Sequence, residues 1–204
     1  DHQWVLPTPI HSDAIRNAHS SDYLAILERG LWSKQEERKS GFPWSPELIE
    51  REKVIMEGTR LCAHWAAQGE VGLNIAGGTH HAYRNHAEGF CLLNDLAIAA
   101  YDLISSGLER ILIVDLDVHH GNGTADIVGQ DPHIFTFSMH GANNYPLDKP
   151  PSSLDIALPD HTGDAEYLAL LRQALDTILP SFQPQVALYQ CGVERMEVTI
   201  PAQV

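Results

Sequence analysis

The sequence predicts an α/β protein built on a mostly parallel sheet, and three observations carry that prediction. Short apolar runs alternate with helical patterns from residue 71 onward, as in successive βαβ units. A chain of 204 residues with 44% hydrophobic composition can bury one sizeable core but is short for two ordinary domains. The chemically richest segments, His80-His81, residues 115–122 and residues 138–145, each follow an apolar run, and open α/β sheets place ligand sites beyond the carboxyl ends of their strands.

Taken in order, residues 1–19 mix prolines with turn signals and show no clear periodicity. A short helical pattern opens at Ser21 and closes at Gly30. Residues 31–44 are polar and read as a loop. Ser45-Pro46-Glu47 is a strong helix start, with a capping hydroxyl, a proline whose missing N–H costs nothing in the first turn, and an acid at the positive end of the helix dipole. Ile49, Val54, Ile55, Leu61 and Trp65 then supply the buried side of a helix that ends near Gly69. Residues 71–76 read as the first strand, 92–104 as a helix stopped by Gly107, and 110–115 as a second strand rich in Ile and Val. Residues 133–138 form a third strand and 146–159 a long proline-rich loop. Residues 164–179 form a helix with Leu168, Leu171, Leu175 and Ile178 on one face, and 186–190 a fourth strand. No internal repeat or low-complexity segment stands out.

Composition narrows the function. With 13 basic against 27 acidic residues, a formal charge of −14, and the pair Arg38-Lys39 flanked by Glu36 and Glu37, direct nucleic-acid binding is not expected. Cys62, Cys91 and Cys191 are dispersed and form no Cys-x-x-Cys, which argues against a disulfide framework or a zinc finger and for a reducing compartment. Apolar runs fall far short of the roughly 18 residues that would suggest a membrane span. The expected location is intracellular, cytoplasmic or nuclear. Asp1 rather than Met opens the sequence, so an organelle address is left open. Oligomeric state is likewise open.

In residues 115–119, alternate side chains of an extended segment point the same way, so Asp117 and His119 can hold one divalent ion from one stretch of backbone. A carboxylate and an imidazole suit zinc or iron. A catalytic ion usually also takes a third protein ligand and an open position, which this pair does not supply. The competing explanation is that acids at a strand end merely cap the next helix. His80-His81 resists a structural explanation more strongly, because adjacent histidines in a glycine-rich turn offer little packing. An imidazole with a pKa of roughly 6.5 suits proton transfer, and it becomes more basic when its other nitrogen donates to a carboxylate or amide oxygen. Asp115 and Asn122 are the candidate partners.

Gly77-Gly78-Thr79-His80-His81-Ala82, Glu88-Gly89-Phe90-Cys91, residues 115–123 (Asp-Leu-Asp-Val-His-His-Gly-Asn-Gly) and Phe137-Ser138-Met139-His140 together resemble the zinc-dependent histone deacetylase family. That family lies within the wider arginase-like fold that also includes acetylpolyamine amidohydrolases. The likeness runs from about Ala18 to Gly192. Residues 41–45, 144–146 and 158–160 look most like its bacterial and class IV branch. The resemblance implies a three-layer arginase/deacetylase-like fold with a mostly parallel central sheet, of which the C-terminal part is missing here.

It also implies roles. Asp117 and His119 match two of three zinc ligands, His81 the general base and acid, and His80 the neighbouring imidazole that stabilises developing charge. Asp115 would orient His80, and Asn122 would orient His81 where some relatives carry Asp. Phe90 and Tyr145 look like the aromatic walls of an acyl-lysine channel with Gly89 at its base. Carbonyls of Asp115, Asp117, His119 and Met139, with Ser138, resemble a structural potassium site. The implied reaction is hydrolysis of an N-acetyl-lysine amide in a histone or another protein. A non-catalytic acyl-lysine or protein-binding module, and a deacetylase of acetylpolyamine-type small amines, are the alternatives.

The pattern departs from the family near its end. The strand at 186–190 should lead to a third ligand, an aspartate a few residues beyond a Gly-x-Asp. Here Gly192-Val193-Glu194 stands at the Gly-x-Asp, and counting on reaches Thr199. Neither that ligand nor the later Gly-Gly-Tyr occurs before Val204, and residues 195–204 read as a divergent tail on a single partial domain spanning 1–204. Weak zinc binding and little or no turnover by this span are expected.

Overall fold

A computed structural model describes residues 3–11 and 13–192. In chain order its elements are α1 (Ala14–Ala18), α2 (Ser21–Arg29), α3 (Lys34–Ser40), α4 (Pro46–Ala67), α5 (Asp95–Ser105), β1 (Ile111–Asp115), α6 (Asn122–Val128), β2 (Ile134–Gly141), β3 (Leu154–Leu158), α7 (Asp164–Phe182) and β4 (Val186–Gln190). The strands form one parallel sheet in the order β3-β2-β1-β4, with Asp115 in register with Ser138 on one side and Gln190 on the other.

The alternation of side chains along β1 divides the core in two. Ile111 and Ile113 point into a cluster with Ile98, Leu103 and Met56 of α5 and α4, whereas Leu112 and Val114 point to the opposite cluster with Phe137, Met139, Ala174 and Ile178. Helices thus cover both faces of a sheet whose central strand is buried along its whole length, giving three layers. The expected fold class is the observed one.

Several local expectations need correction. Residues 71–76 are not a strand: Val71, Leu73 and Ile75 are 96%, 84% and 78% exposed, and this stretch has no ladder partner among the described residues. Alternation supplies a suitable surface, but a strand also needs a neighbouring backbone to bond. Residues 31–44 are not all loop. Ser33 and Glu36 form a reciprocal capping box, and Lys34 pairs with Glu37, so the polar segment gains α3. The proline-rich 146–159 stretch ends in β3, which tolerates its setting because it is an edge strand. α1 also went unread, being too short to show a period.

In α4 the cap is as expected, Ser45 Oγ accepting from the Leu48 N–H with Pro46 in the first turn. The buried face is instead Ile49, Glu52, Met56, Thr59 and Ala63. Val54, Ile55, Leu61 and Trp65 are half-buried beside it. α7 runs on through Pro180 to Phe182.

Candidate active site

The turn carrying His80 and His81 does not follow a strand; the start of α5 anchors it. The buried Asp95 carboxylate accepts the backbone N–H groups of Gly78 (3.0 Å) and Thr79 (2.9 Å) and the hydroxyls of Thr79 (2.9 Å) and Thr59 (2.7 Å). On the far side of the histidine pair, Asn94 donates from Nδ2 to the Ala82 carbonyl (3.2 Å) while its Oδ1 caps α5 at the Ala97 N–H (3.0 Å). One helix start therefore grips both ends of the dyad-bearing turn. Sequence reading missed Asp95 and Asn94. Their signal was the Asn-Asp pair at a helix start, which by itself announces only a cap.

The two imidazoles lie with ring centroids 4.1 Å apart. His80 Nδ1 meets Asp115 Oδ2 at 2.6 Å, and His81 Nδ1 meets Asn122 Oδ1 at 2.7 Å. These pairings are the expected ones. Asp115 ends β1 and Asn122 opens α6, so one strand–loop–helix segment reaches both rings. The loop is tight enough that a β-carbon at Gly121 would fall on the Asp115 carboxylate, and one at Gly123 on the Ala82 carbonyl.

These partners separate the histidines electrostatically. Burial works against a charge on His80, but the Asp115 charge and hydrogen bond outweigh it and raise the pKa above 6.5. Burial first, and then the neighbouring His80, push His81 down to about 3. The two rings are thus set differently, His80 toward its charged form and His81 toward its neutral form.

Asp117 and His119 follow directly. Asp117 Oδ1 lies 3.1 Å from His119 Nδ1 and accepts the His119 N–H at 2.8 Å, while Asp115 Oδ1 accepts the Asp117 N–H at 3.1 Å. Although burial alone would raise it, the bonds from His119 hold Asp117 below its ordinary carboxylate value. His119 lies 5.9 Å ring to ring from His81, so the pair and the dyad share one site.

As a metal test, an ionised carboxylate oxygen and an imidazole nitrogen 3.1 Å apart fit adjacent ligands of one ion with bonds of about 2.0–2.2 Å. The donor set therefore fits a zinc or iron ion at two positions. No third His, Cys, Asp or Glu joins this pair among the described residues, and Glu194 and Thr199 lie outside them.

A different trio does cluster: His120, His140 and Asp155 bring ligand atoms within 4.8 Å of one another. It went unnoticed in the sequence because its members come from three segments, and hydrogen bonds engage each of them. His120 Nε2 meets Asp155 Oδ1 at 3.1 Å and His140 Nδ1 meets Ser138 Oγ at 3.0 Å, while His120 Nδ1 is buried without a partner. Of the residues resembling a potassium site, Asp115, Asp117 and His119 lie on one segment and Ser138 and Met139 on β2, with Asp115 and Ser138 paired in register.

Of the expected channel residues, Gly89 and Tyr145 lie against His81, whereas Phe90 lies against Phe42. A β-carbon on Gly89 would come within 2.8 Å of His81 Cδ2, and the Tyr145 ring stands edge-on to His81 at 5.0 Å. Phe90 is exposed, rests on Phe42 at 5.6 Å, and takes a φ of +62°. The end of α3 braces this turn, with the Lys39 and Ser40 carbonyls accepting the Gly89 and Phe90 N–H groups at 3.2 and 3.0 Å. Reading residues 31–44 as loop concealed that support.

The Histone deacetylase domain model matches residues 1–198. The chain belongs to the histone deacetylase family. It is 43% identical over 177 residues to an uncharacterised protein of Picosynechococcus sp., covering 86% of this chain and 59% of that protein. It is 28% identical over 214 residues to the acetoin utilization protein AcuC of Staphylococcus aureus, covering 94% of this chain and 55% of the relative. Among solved structures, an HDAC homolog complexed with SAHA superposes with a TM-score of 0.79 at 27% identity, over 90% of this chain and 55% of that one. The chain thus spans little more than half the length of these relatives. No helix among its described residues is long and apolar enough to cross a membrane.

Proposed function

We propose that the protein represented by this deacetylase-family chain is a metal-dependent amidohydrolase acting on N-acetyl-lysine of a histone or another protein. The single observation that carries this reading is the histidine pair. Two adjacent imidazoles, tilted 45° to each other and with opposite electrostatic settings, lie beside a carboxylate–imidazole pair of metal-ligating type. Asp117 and His119 would hold the ion, zinc or iron by their chemistry, and when bound it would supply Lewis-acid polarisation of the amide carbonyl.

The remaining work falls to the chain. His81 Nε2 takes a proton from water and later returns it to the leaving amine, while His80, whose charged form Asp115 favours, stabilises negative charge developing nearby. Tyr145 and Gly89 present a ring and a bare backbone beside His81, and the exposed Phe90 ring follows Gly89 in the chain, a set that suits an aliphatic lysine stem. Potassium held by the Asp115, Asp117, His119, Ser138 and Met139 group would stiffen the segment below the site.

The test is turnover of acetyl-lysine peptides and of acetylated polyamines by the purified, metal-supplemented protein, beside His81→Ala. Peptide hydrolysis that disappears in the variant supports the proposal; hydrolysis unaffected by it ends the assignment. The alternative for this span is a non-catalytic acyl-lysine or protein-binding module. That reading requires peptide binding without turnover, and weak zinc uptake.

A further inference from the structure

We propose that Glu88 is a positioning residue that fixes the Asn122 amide and, through it, the tautomer of His81. A side-chain amide can turn over, exchanging its oxygen for its nitrogen at little steric cost. In one orientation the oxygen faces His81 Nδ1. In the other an N–H does, and the proton must then move to the opposite nitrogen of the ring. Asn122 alone is consistent with both.

Its surroundings decide. Asn122 Oδ1 lies 2.7 Å from His81 Nδ1, and Asn122 Nδ2 lies 2.9 Å from Glu88 Oε1 and 3.0 Å from the Tyr83 hydroxyl. The hydroxyl is indifferent, since it can donate or accept. An ionised carboxylate only accepts, so turning the amide would set two acceptors against each other in a site where Asn122 is fully buried. The amide oxygen must therefore face His81, His81 Nδ1 must carry the hydrogen, and Nε2 keeps its lone pair for the proton of water. An aspartate at position 122 would need no such device, because both of its oxygens accept.

The same carboxylate oxygen accepts the Tyr145 hydroxyl at 2.8 Å, which seats the ring that stands against His81. Glu88 is itself held by paired backbone bonds with Cys91, at 3.1 and 2.9 Å. Its side chain is 21% exposed, so substitution there need not disturb the core.

Only the rate consequence of this inference rests on the deacetylase reading. The tautomer can be read directly by long-range proton–nitrogen correlation spectra of the metal-free, nitrogen-15-labelled 204-residue chain at pH 8, with the His81 signal assigned by its loss in His81→Gln. The wild-type ring should show Nδ1 alone protonated. Glu88→Gln preserves shape but not the acceptor-only character, and should populate the Nε2-protonated form. Adding Asn122→Asp should restore the single Nδ1-protonated form. With acetyl-lysine peptide, Glu88→Gln should lower kcat about 10-fold while KM moves little, and the double variant should recover it. A Glu88→Gln ring that keeps the wild-type tautomer overturns the proposal. Absence of turnover by the wild type, as expected for this span, would remove only the kinetic comparison, while the spectra would still decide the role of Glu88.

Discussion

Replacing Asp95 tests whether the active-site turn depends on one buried carboxylate. Of the donors that Asp95 accepts, the hydroxyls of Thr59 and Thr79 can rotate, and Thr79 Oγ1 also accepts the Asp95 N–H. The N–H groups of Gly78 and Thr79 belong to the backbone and cannot rotate away if the turn stays in place. An orphaned buried donor costs about 1–3 kcal/mol, so Asp95→Ala should cost about 4 kcal/mol. Asp95→Asn keeps one acceptor oxygen but turns an N–H against one of the two backbone donors, and should cost roughly half as much. For a urea slope of about 2 kcal/mol/M, the alanine variant should lose roughly 2 M in midpoint with the slope unchanged. Hydrogen exchange at Gly78 and Thr79 should accelerate in parallel. A midpoint shift under about 0.25 M, the size of a surface substitution, would refute the idea that Asp95 anchors the turn.

Other predictions follow from the same geometry. His19 is buried, with Nδ1 bonded to the Tyr83 carbonyl and Nε2 accepting the Asn94 N–H, and burial lowers its pKa to about 4. Between pH 6.5 and 4 the unfolded chain takes up this proton and the folded chain does not. Stability should therefore fall by about 3 kcal/mol as pH drops through that window, and a pH series of unfolding curves on His19→Gln should show a shallower decline. Gly123→Ala drives a methyl into the backbone of residues 81–82, which cannot yield as a side-chain tip would. The expected loss is about 1–3 kcal/mol, read by thermal unfolding. Asp115→Asn removes the charge that favours the protonated form of His80 and weakens the bond orienting Asp117, so peptide turnover should fall about 10–100-fold with the fold intact by circular dichroism.

The sequence was most legible where one residue type has one use. Ser45-Pro46 announced the start of α4, the Ile-Val run announced β1, and the partners of His80 and His81 were read correctly because few groups besides Asp115 and Asn122 could orient an imidazole there. It was least legible where a second segment had to supply the other half of an interaction. Val71, Leu73 and Ile75 alternate like a strand but find no ladder neighbour among the described residues, and of the apolar positions chosen for α4 only Ile49 is buried, Val54, Ile55, Leu61 and Trp65 flanking the buried face. α3 carries almost no apolar signal, yet its last carbonyls support Phe90.

Local chemistry therefore marked out the candidates for proton transfer and metal binding, since ionisable groups announce themselves by type and spacing. Only the packed chain settled how they are controlled. Asp95, Asn94 and Glu88 act across sequence separations that no pattern encodes, because their influence depends on which donor lies within hydrogen-bond reach after the helices close over the sheet.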